Sequence, residues 1–318
     1  MIRYDTIVLG SGNAGMAAAS TVRADGKSVA IVENRDVGGT CPIRGCVPKK
    51  VLVAAAEVLH QIASASEHHI RVGGVSLCWP SLIEREHGFV EGVAENFAQT
   101  LRARGIDLYR GSARFTDSDS ITVSGKALKA EAIVIATGSA PRNLDIDGGE
   151  YCLTSEELLV DETLPESLIA IGGGVISLEF AHILARAGTR VTILEAAPEV
   201  LPRFDHDLVR ILTKESERIG ITIQTNARVS KIARKSGKYD VRFTVDNGIE
   251  RSVTAEKVLN GTGRVADVTD LSLESAGIEH AGTQIMVDDH LRSVSNPRIY
   301  VAGDALHASP QLSPLASY

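Results

Sequence analysis

The 318-residue sequence contains few aromatic residues, few prolines and few cysteines, and it has no long apolar run. Phe, Tyr and Trp make up 4% of the chain, beside 10 prolines and four cysteines. Four cysteines are too few for a disulfide-stabilised scaffold of this length. A membrane helix needs roughly 18 consecutive apolar residues, so the sequence argues against a membrane-spanning protein. The first residues carry no secretory-signal pattern, and we therefore expect a cytoplasmic protein.

Basic residues are outnumbered by acidic ones. The chain has 33 Lys and Arg against 40 Asp and Glu, which gives a formal net charge of −7. This balance, without a basic stripe, argues against a nucleic-acid-binding protein. The sequence is rich in hydrophobic residues (44%) and glycine (29 residues), which is ordinary for a globular chain with a substantial core. The length predicts about two domains.

A glycine-rich turn lies close to the amino terminus, between two apolar runs. The run at 6–9 leads into Gly-Ser-Gly-Asn-Ala-Gly at 10–15, an alanine-rich helical stretch follows, and the run at 28–32 ends in Glu33. This order of strand, G-x-G-x-x-G, helix, strand and acid is typical of a dinucleotide-binding unit, in which the helix N-terminus binds the pyrophosphate and the acid binds a ribose. The predicted binding residues are Gly10, Gly12, Gly15 and Glu33.

The same order returns in the middle of the chain. An apolar run at 168–171 leads into Gly-Gly-Gly-Val-Ile-Ser at 172–177, a helix is predicted to about Ala187, and a run at 191–194 ends in Glu195. Each acid follows the first glycine of its turn by 23 positions. One such motif is weak evidence, but two copies with the same spacing predict two nucleotide-binding folds. The predicted binding residues of the second copy are Gly172, Gly174 and Glu195.

Three further apolar runs close on small residues, which let a chain pass close beside a ligand. The three turns are Thr137–Gly138, Thr262–Gly263–Arg264 and Gly303–Asp304. Asp304 follows a predicted strand at 298–302, where its carboxylate is placed to accept hydrogen bonds from sugar-like hydroxyls. Elsewhere the pattern predicts helices at 50–66 and 82–104, and Asn247–Gly248 is typical of a β-hairpin turn.

Cys41 and Cys46 lie five positions apart in a segment rich in glycine and basic residues. A disulfide that closes so small a loop removes little entropy from the unfolded chain, so it would be a poor structural staple. Nearby positive charge favours the reactive thiolate. The pair therefore predicts redox chemistry, and a zinc site, the alternative, would need a second pair of ligands. Cys78 and Cys152 are isolated and are expected to be buried.

The sequence Gly-Gly-Thr-Cys-x4-Cys-x-Pro-Lys-Lys at 38–50, after an amino-terminal dinucleotide fold, resembles the class I FAD-dependent pyridine nucleotide–disulfide oxidoreductases. This family includes glutathione reductase, dihydrolipoamide dehydrogenase and mercuric reductase. The resemblance covers the whole chain and rests on five ordered motifs. These are the two nucleotide turns, the cysteine pair, the Thr-Gly-Arg turn and Gly303–Asp304.

The resemblance implies that the first fold binds FAD and the second binds the nicotinamide dinucleotide. It implies that Cys46 is the thiol next to the flavin and that Cys41 is the thiol that meets a disulfide substrate. Lys49 or Lys50 resembles the lysine near the flavin, paired with Glu179, for which a salt bridge without a catalytic role is the alternative. The further cofactor contacts implied are Thr40, Lys50, Ala113, Thr137, Gly138, Gly263 and Asp304.

Glu195 favours NAD over NADP, because a carboxylate accepts a hydrogen bond from a 2′-hydroxyl and repels a 2′-phosphate. Arg190 and Arg203 keep NADP as the alternative. Ser177 replaces the third glycine of the second motif, and Val175 stands where glutathione reductases carry a tyrosine. Against this, the segment Ile-Arg-Gly at 43–45 and the lysine pair at 49–50 look more like glutathione reductase. The disulfide substrate therefore stays open between a dihydrolipoamide dehydrogenase-like and a glutathione reductase-like one.

The family is homodimeric through a carboxyl-terminal interface domain, which supplies a His-x-x-x-x-Glu pair that protonates the substrate-facing thiolate. The sequence ends at Tyr318, before such a domain. We expect disulfide turnover to be impaired without it, whereas flavin reduction needs only the two nucleotide folds. His182 is expected to be a surface or packing residue rather than a general base.

The sequence thus predicts an α/β fold with two Rossmann-like dinucleotide-binding domains, the second inserted in the first. The predicted boundaries are 1–145 and 267–318 for the FAD-binding domain and 146–266 for the NAD(P)-binding domain. The predicted function is electron transfer between NAD(P)H, FAD and the cysteine pair, on to a small disulfide or dithiol, with no metal ion, nucleic acid or membrane partner. The alternatives are a diaphorase-like flavoprotein that does not use the thiols, and a non-catalytic nucleotide-binding redox sensor.

Overall fold

The computed structural model describes residues 1–245, 248–306 and 313–316. Packing divides the chain into two compact units. The first unit is formed by 1–47, 90–140 and 264–318, and the second by 48–89 and 141–263. The domain boundaries at 145 and 267 stay a prediction, since the units are defined by packing and not by what they bind.

The two units mix strands and helices along the whole described chain. The described strands are β1 (Ile2–Leu9), β2 (Val29–Glu33), β3 (Asp107–Arg110), β4 (Ala113–Asp117), β5 (Ser120–Val123), β6 (Lys126–Ile135), β7 (Ser139–Pro141), β8 (Ser167–Ile171), β9 (Arg190–Leu194), β10 (Thr222–Gln224), β11 (Arg228–Lys235), β12 (Lys238–Val245), β13 (Ile249–Ala255), β14 (Lys257–Asn260), β15 (Arg264–Ala266), β16 (His280–Ala281), β17 (Gln284–Ile285) and β18 (Ile299–Val301). The described α-helices are α1 (Asn13–Ala24), α2 (Thr40–Arg44), α3 (Cys46–Ser64), α4 (Trp79–Val90), α5 (Val93–Ala103), α6 (Ser155–Leu159), α7 (Val175–Arg186), α8 (His206–Arg218) and α9 (Ser313–Ala316). None of these helices combines the length and the apolar character that crossing a bilayer requires.

A seven-stranded sheet forms the centre of the first unit, in the order β3-β2-β1-β6-β5-β4, with β18 also paired to β6. The inner pairs are parallel. Leu9 of β1 lies opposite Val32 of β2 and Ile135 of β6, and Val301 of β18 also lies opposite Ile135. The carboxyl ends of these four strands therefore meet at one edge of the sheet, which is where open α/β sheets bind ligands.

Strand β1 is covered on both faces. Ile7 and Leu9 belong to one apolar cluster, whereas Val8 belongs to a second cluster with Ala19 of α1 and Leu101 of α5. A strand that is buried on both faces is a continuous apolar run rather than an alternating one. This is the physical reason why the strands beside the glycine turns can be recognised in the sequence.

The second unit has a parallel sheet and an antiparallel one. The parallel sheet has the order β10-β9-β8-β14, and Ile171 of β8 lies opposite Leu194 of β9 and Asn260 of β14. Strands β11, β12 and β13 form a three-stranded antiparallel sheet. Helices α3 and α4 contribute Leu52 and Ile83 to the core of this unit. The α/β fold class with parallel sheets is therefore confirmed.

Some local predictions are corrected by the structure. The helix predicted at 82–104 is two helices, α4 and α5, because Gly92 has a φ of +74° and a right-handed helix does not continue through a left-handed residue. The predicted hairpin is confirmed by the antiparallel pairing of β12 with β13, although Asn247 of the predicted turn lies outside the described residues. Cys78 is exposed rather than buried, and Cys152 is partly buried.

Candidate active site

A cleft opens at the carboxyl edge of the sheet in the first unit. Its walls come from sequence segments that are far apart in the chain. Among the residues that line it are Gly10, Gly12, Glu33, Thr40, Thr137 and Ser139.

The first glycine turn is shaped by two close approaches and one open position. Gly10 has a φ of +101°, and a Cβ there would overlap the carbonyl oxygen of Ala136. A Cβ at Gly15 would overlap the carbonyl oxygen of Gly10, so the third glycine lets α1 pack against the turn. At Gly12 the nearest described atom would be Gly39 Cα, 3.9 Å away. The open position at the N-terminus of α1 is the shape that a pyrophosphate needs.

Glu33 is held rigidly at the end of β2. Its Oε2 accepts hydrogen bonds from the Ser11 backbone N–H at 2.9 Å and from the Ser11 hydroxyl at 2.6 Å. Its Oε1 accepts from the Arg35 backbone N–H at 2.8 Å. The residue is 7% exposed and lines the cleft, so its remaining acceptor capacity faces a ligand there.

Thr137 and Gly138 form the turn after β6. The Thr137 hydroxyl is buried and has no hydrogen-bond partner among the described residues. A buried hydroxyl without a partner is costly, so it points to a polar group that the site is built to receive. Gly138 has a φ of +74°, and a Cβ there would meet no described atom within 4 Å. Together with the opening at Gly12, these features fit a bound dinucleotide.

Asp304 is oriented by two residues of the same unit. The Ser139 hydroxyl donates to Asp304 Oδ2 at 3.2 Å, and Arg264 Nε donates to the same hydroxyl at 2.9 Å. Arg264 also donates to the Ser139 carbonyl oxygen at 2.5 Å. Burial raises the pKa of Asp304 above its usual value, although Ser139 and Arg264 act in the opposite direction. Burial therefore makes the charged form of this carboxylate less favourable than it is in water.

The two cysteines lie on consecutive helices. Cys41 is the second residue of the short helix α2, and Cys46 is the first residue of α3, with Gly45 between the helices. Thr40 and Arg44, which flank Cys41 on α2, both line the cleft. Both cysteines are partly exposed. Helix α2 thus carries the substrate-facing thiol candidate beside the cleft of the first glycine turn.

Glu179, the acid predicted to pair with Lys49 or Lys50, forms its ion pair with Lys49. Lys49 Nζ lies 2.5 Å from Glu179 Oε1, and both side chains are partly buried. Lys50 is exposed, and no contact between it and Glu179 is found in the described structure. The geometry therefore favours Lys49 as the paired lysine.

The second glycine turn repeats the plan of the first. Gly172 has a φ of +94°, and a Cβ there would lie 2.5 Å from the carbonyl oxygen of Gly261. Glu195 accepts hydrogen bonds from the backbone N–H groups of Gly173 at 2.5 Å and of Ala197 at 2.6 Å. A Cβ at Gly174 would meet only Gly261 O at 3.6 Å. This turn therefore also leaves an opening at a helix N-terminus, that of α7.

Other predicted residues lie outside these contacts. Ala113 is buried at the start of β4 and lines the cleft. Gly263 is exposed, with open space around its Cβ position among the described atoms. Arg190 and Arg203 are also exposed. His182 donates or accepts a hydrogen bond with Ser216 Oγ at 2.8 Å, as expected for a packing residue.

Sequence reasoning missed Ser11 and Ser139. Each serine binds a predicted acid, Glu33 in one case and Asp304 in the other. Both lie next to a glycine of a recognised turn, but the motif leaves these positions open to any residue. The neighbouring glycines were the only available signal. In the described part of the chain no group of three or more His, Cys, Asp or Glu side chains could hold a metal ion.

The comparisons with known proteins agree with this geometry. The family model for pyridine nucleotide-disulphide oxidoreductases matches residues 4–318. A dihydrolipoyl dehydrogenase of Chlamydia pneumoniae is 31% identical over 305 residues, which cover 95% of this chain and 65% of that protein. A dihydrolipoyl dehydrogenase of Acholeplasma laidlawii is 31% identical over 308 residues, 95% of this chain and 89% of that protein. A mercuric reductase of Staphylococcus aureus is 32% identical over 321 residues, 99% of this chain and 58% of that protein. The chain thus spans just under two thirds of the Chlamydia relative.

Proposed function

The chain belongs to the pyridine nucleotide–disulphide oxidoreductase family, and we propose that it is an FAD-dependent, NAD(P)H-linked disulfide oxidoreductase that works through Cys41 and Cys46. One observation supports this most directly. The cleft of the first glycine turn is lined both by Glu33 and by Thr40 and Arg44, the first and last residues of the helix α2 that carries Cys41. The candidate nucleotide site therefore lies beside the helix of the candidate thiol, although neither cysteine is among the residues that line the cleft.

The first unit would hold FAD. Glu33 would accept hydrogen bonds from the adenosine ribose, the α1 N-terminus behind Gly12 would bind the pyrophosphate, and Asp304 would bind ribityl hydroxyls. The Thr137 hydroxyl would find its partner on the cofactor. Bound FAD supplies two-electron transfer between a nicotinamide and a disulfide, chemistry that protein side chains do not have. The further contacts in this proposal are Gly10, Gly15, Thr40, Ala113, Gly138 and Gly263.

Cys41 and Cys46 would exchange the electron pair with substrate. In the reducing direction the Cys41 thiolate attacks one sulfur of a substrate disulfide, which forms a mixed disulfide and releases one substrate thiolate. The Cys46 thiolate then attacks the Cys41 sulfur, which releases the second substrate thiolate and leaves a Cys41–Cys46 disulfide. The substrate gains two electrons and the cysteine pair loses two. Dithiol oxidation is the same sequence in reverse.

The second unit would bind the nicotinamide dinucleotide at the turn of Gly172 and Gly174. Glu195 is fixed by two backbone N–H groups, so its carboxylate cannot easily turn away from a 2′-substituent. NAD is therefore favoured over NADP. Arg190 and Arg203, the basis for the NADP alternative, are exposed.

The substrate class that we propose is a small disulfide or dithiol. The relatives named dihydrolipoyl dehydrogenase favour a dithiol of the lipoyl type, and the exposed Val175 at the start of α7 agrees with that choice over glutathione. Another relative is a mercuric reductase, so mercuric ion belongs in the substrate panel. A cytoplasmic location is part of this proposal.

The test is anaerobic titration of the purified holoprotein with NADH, followed in the visible spectrum. We expect flavin bleaching and a long-wavelength thiolate–flavin band, which the Cys46→Ser variant abolishes. The control is Cys78→Ser, since Cys78 is exposed and lies on neither α2 nor α3, the helices that carry Cys41 and Cys46. Purified protein that binds no FAD would refute the proposal. Unchanged turnover of every acceptor in Cys46→Ser would instead indicate a diaphorase, and FAD that NADH does not bleach would indicate a redox sensor.

We assign the family's flavin-side lysine to Lys49 rather than Lys50. Removing the Lys49 charge would also leave Glu179 without its ion-pair partner. We expect Lys49→Met to slow flavin reduction by NADH by about tenfold or more, within the range of positioned charged groups. Lys50→Met is the matched control, because Lys50 is adjacent and exposed. Stopped-flow absorbance measures both rates, and equal slowing in the two variants would remove the assignment.

A further inference from the structure

Ser11 ties together three segments of the first unit. Its backbone N–H and its hydroxyl both donate to Glu33 Oε2, at 2.9 and 2.6 Å. The same hydroxyl accepts a hydrogen bond from the Gly38 backbone N–H at 3.1 Å. Ser11 is fully buried. One hydroxyl therefore joins the glycine turn, the acid at the end of β2 and the loop that leads to the cysteine helix.

The loop held by Ser11 is closely packed at two glycines. Gly38 has a φ of +116°, and a Cβ there would lie 2.8 Å from the Phe97 ring. Gly39 has a φ of +75°, and a Cβ there would lie 2.5 Å from Gly12 Cα. Thr40, the next residue, begins α2, which carries Cys41. The position of Cys41 thus depends on backbone that packs directly on the glycine turn.

We propose that Ser11 is a positioning residue that couples the cofactor-binding acid Glu33 to the segment carrying Cys41, so that FAD retention and Cys41 reactivity depend on the same hydroxyl. The inference rests on the proposed function for the identity of the cofactor. Ser11 itself need not touch the cofactor. It acts by fixing the Glu33 carboxylate and by holding Gly38 against the turn.

The second glycine turn lacks this device. Gly173 stands where the first turn has Ser11, and its backbone N–H makes the matching bond to Glu195. A Cβ at Gly173 would lie 2.5 Å from Val200 Cγ1, so the second turn has no room for a serine unless Val200 moves. The hydroxyl link is therefore a property of the first turn and not of the motif.

The test uses Ser11→Ala and a control with matched geometry. Ser28 binds Asp5 Oδ2 through its backbone N–H at 2.7 Å and its hydroxyl at 2.6 Å, and its hydroxyl accepts from the Asp5 N–H at 2.9 Å. This serine–carboxylate pair lies in the same unit but outside the cleft lining. Ser28→Ala therefore removes the same bonds without touching the site.

The first readout is the dissociation constant of FAD, measured by flavin fluorescence on stripped protein. We expect Ser11→Ala to weaken FAD binding by about 10- to 100-fold, since it leaves a charged acceptor short of a buried hydrogen bond. Ser28→Ala should bind like the wild type. In a Glu33→Ala background the part of the Ser11→Ala effect that depends on Glu33 should disappear, because the bond between the two side chains is already absent.

The second readout is alkylation of Cys41 by iodoacetamide in the reduced protein. Trypsin cleavage after Arg44 places Cys41 and Cys46 on separate peptides, so mass spectrometry follows each thiol alone. We expect the Cys41 rate to change severalfold in Ser11→Ala and to stay unchanged in Ser28→Ala. A structural role confined to stability would leave this rate alone in folded protein.

The outcomes separate this inference from the proposed function. Wild-type protein that binds no FAD refutes the function. If the wild type binds FAD, and Ser11→Ala has the same FAD affinity and the same Cys41 alkylation rate as the wild type, only the role of Ser11 is refuted. If Ser11→Ala does not fold, Ser11→Gly supplies the residue that the second turn carries at this position. Recovery of either variant by excess FAD supports the proposal, and failure to fold even with FAD reduces Ser11 to a structural residue.

Discussion

The two glycine turns share a backbone plan but differ in how their acids are held. In the first turn Glu33 accepts three hydrogen bonds, one of them from the Ser11 hydroxyl, and it is 7% exposed. In the second turn Glu195 accepts hydrogen bonds from two backbone N–H groups, and it is more exposed than Glu33. The motif therefore fixes where the acid lies, and the residues around it fix how firmly it is held.

This difference matches the roles that we propose for the two nucleotides. A prosthetic group must stay bound through many turnovers, whereas a co-substrate must leave after each one. A rigid, buried acid suits the first task, because less freedom is lost on binding. The comparison predicts that equivalent substitutions in the two turns have separate and unequal consequences.

The largest effects are expected for Gly10→Ala and Gly172→Ala. Each residue has a positive φ, and each Cβ would collide with a carbonyl oxygen of a neighbouring strand end. Strain and overlap together should cost about 2–4 kcal/mol of unfolding free energy. Gly10→Ala should lose FAD, whereas Gly172→Ala should keep FAD and lose reduction by NADH. Urea unfolding and the flavin spectrum measure the two effects.

Gly26→Ala is the matched control for backbone strain alone. Its φ is +80°, and a Cβ there would meet no described atom within 4 Å. It should cost only about 1–2 kcal/mol. If Gly10→Ala is no worse than Gly26→Ala, the close approach between the turn and β6 carries no energetic weight.

A second effect concerns the choice of nicotinamide dinucleotide. Glu195→Ala removes a fixed negative charge from the second turn, so the repulsion of a 2′-phosphate is lost. We expect the ratio of kcat/KM for NADPH over NADH to rise about 10- to 100-fold, as like-charge contacts cost several kcal/mol. Steady-state kinetics with a dye acceptor measures the ratio without disulfide turnover.

Glu199→Ala is the control for net charge in this experiment. Glu199 follows Glu195 closely, and its carboxylate pairs with His206 at 2.5 Å. Its removal changes the chain's charge by the same amount. A similar rise of the ratio in Glu199→Ala would show that general electrostatics, and not Glu195, decides the preference.

The sequence predicts the turns but not their supports. Gly10, Gly172 and the two acids follow from spacing, because a strand, a tight turn and a helix allow few other residues there. Ser11 and Ser139 could not be predicted, since their partners are brought near only by the sheet. The break between α4 and α5 was missed because one glycine in a helical pattern is commonly tolerated.

The third glycine position of the second nucleotide motif also has a support that the sequence does not reveal. Ser177 replaces the glycine, and the structure accommodates it because residue 261 is itself a glycine, whose Cβ position coincides with the Ser177 hydroxyl. We expect Gly261→Ala to cost about 1–3 kcal/mol of unfolding free energy through overpacking. Adding Ser177→Gly should recover most of this loss. Without such recovery in urea unfolding, the serine and the glycine are not a compensating pair.

The smallest effect concerns Asp304, an acid that the first unit places at the end of β18. Burial raises the pKa of Asp304 in the folded protein, so the folded state binds this proton more tightly than the unfolded state. The stability that protonated Asp304 contributes is fully present below the pKa that Asp304 has in the unfolded chain, about 4. It is lost as the pH rises through the pKa that Asp304 has in the folded protein. The contribution of Asp304 to the stability of the cofactor-free protein should therefore be smaller near pH 7 than near pH 4.

Asp304→Asn removes that cost, so the cofactor-free variant should gain a little stability at pH 7 relative to pH 4, while FAD binds more weakly. Asp119 is the control of opposite sign, because Lys129 at 2.7 Å lowers its pKa and Asp119→Asn should lose stability above that pKa. Thermal unfolding of both variants across pH measures the contrast. Parallel pH profiles for the two variants would mean that burial of Asp304 does not destabilise the cofactor-free protein at neutral pH. The difference between the two glycine turns would then depend on Ser11 alone.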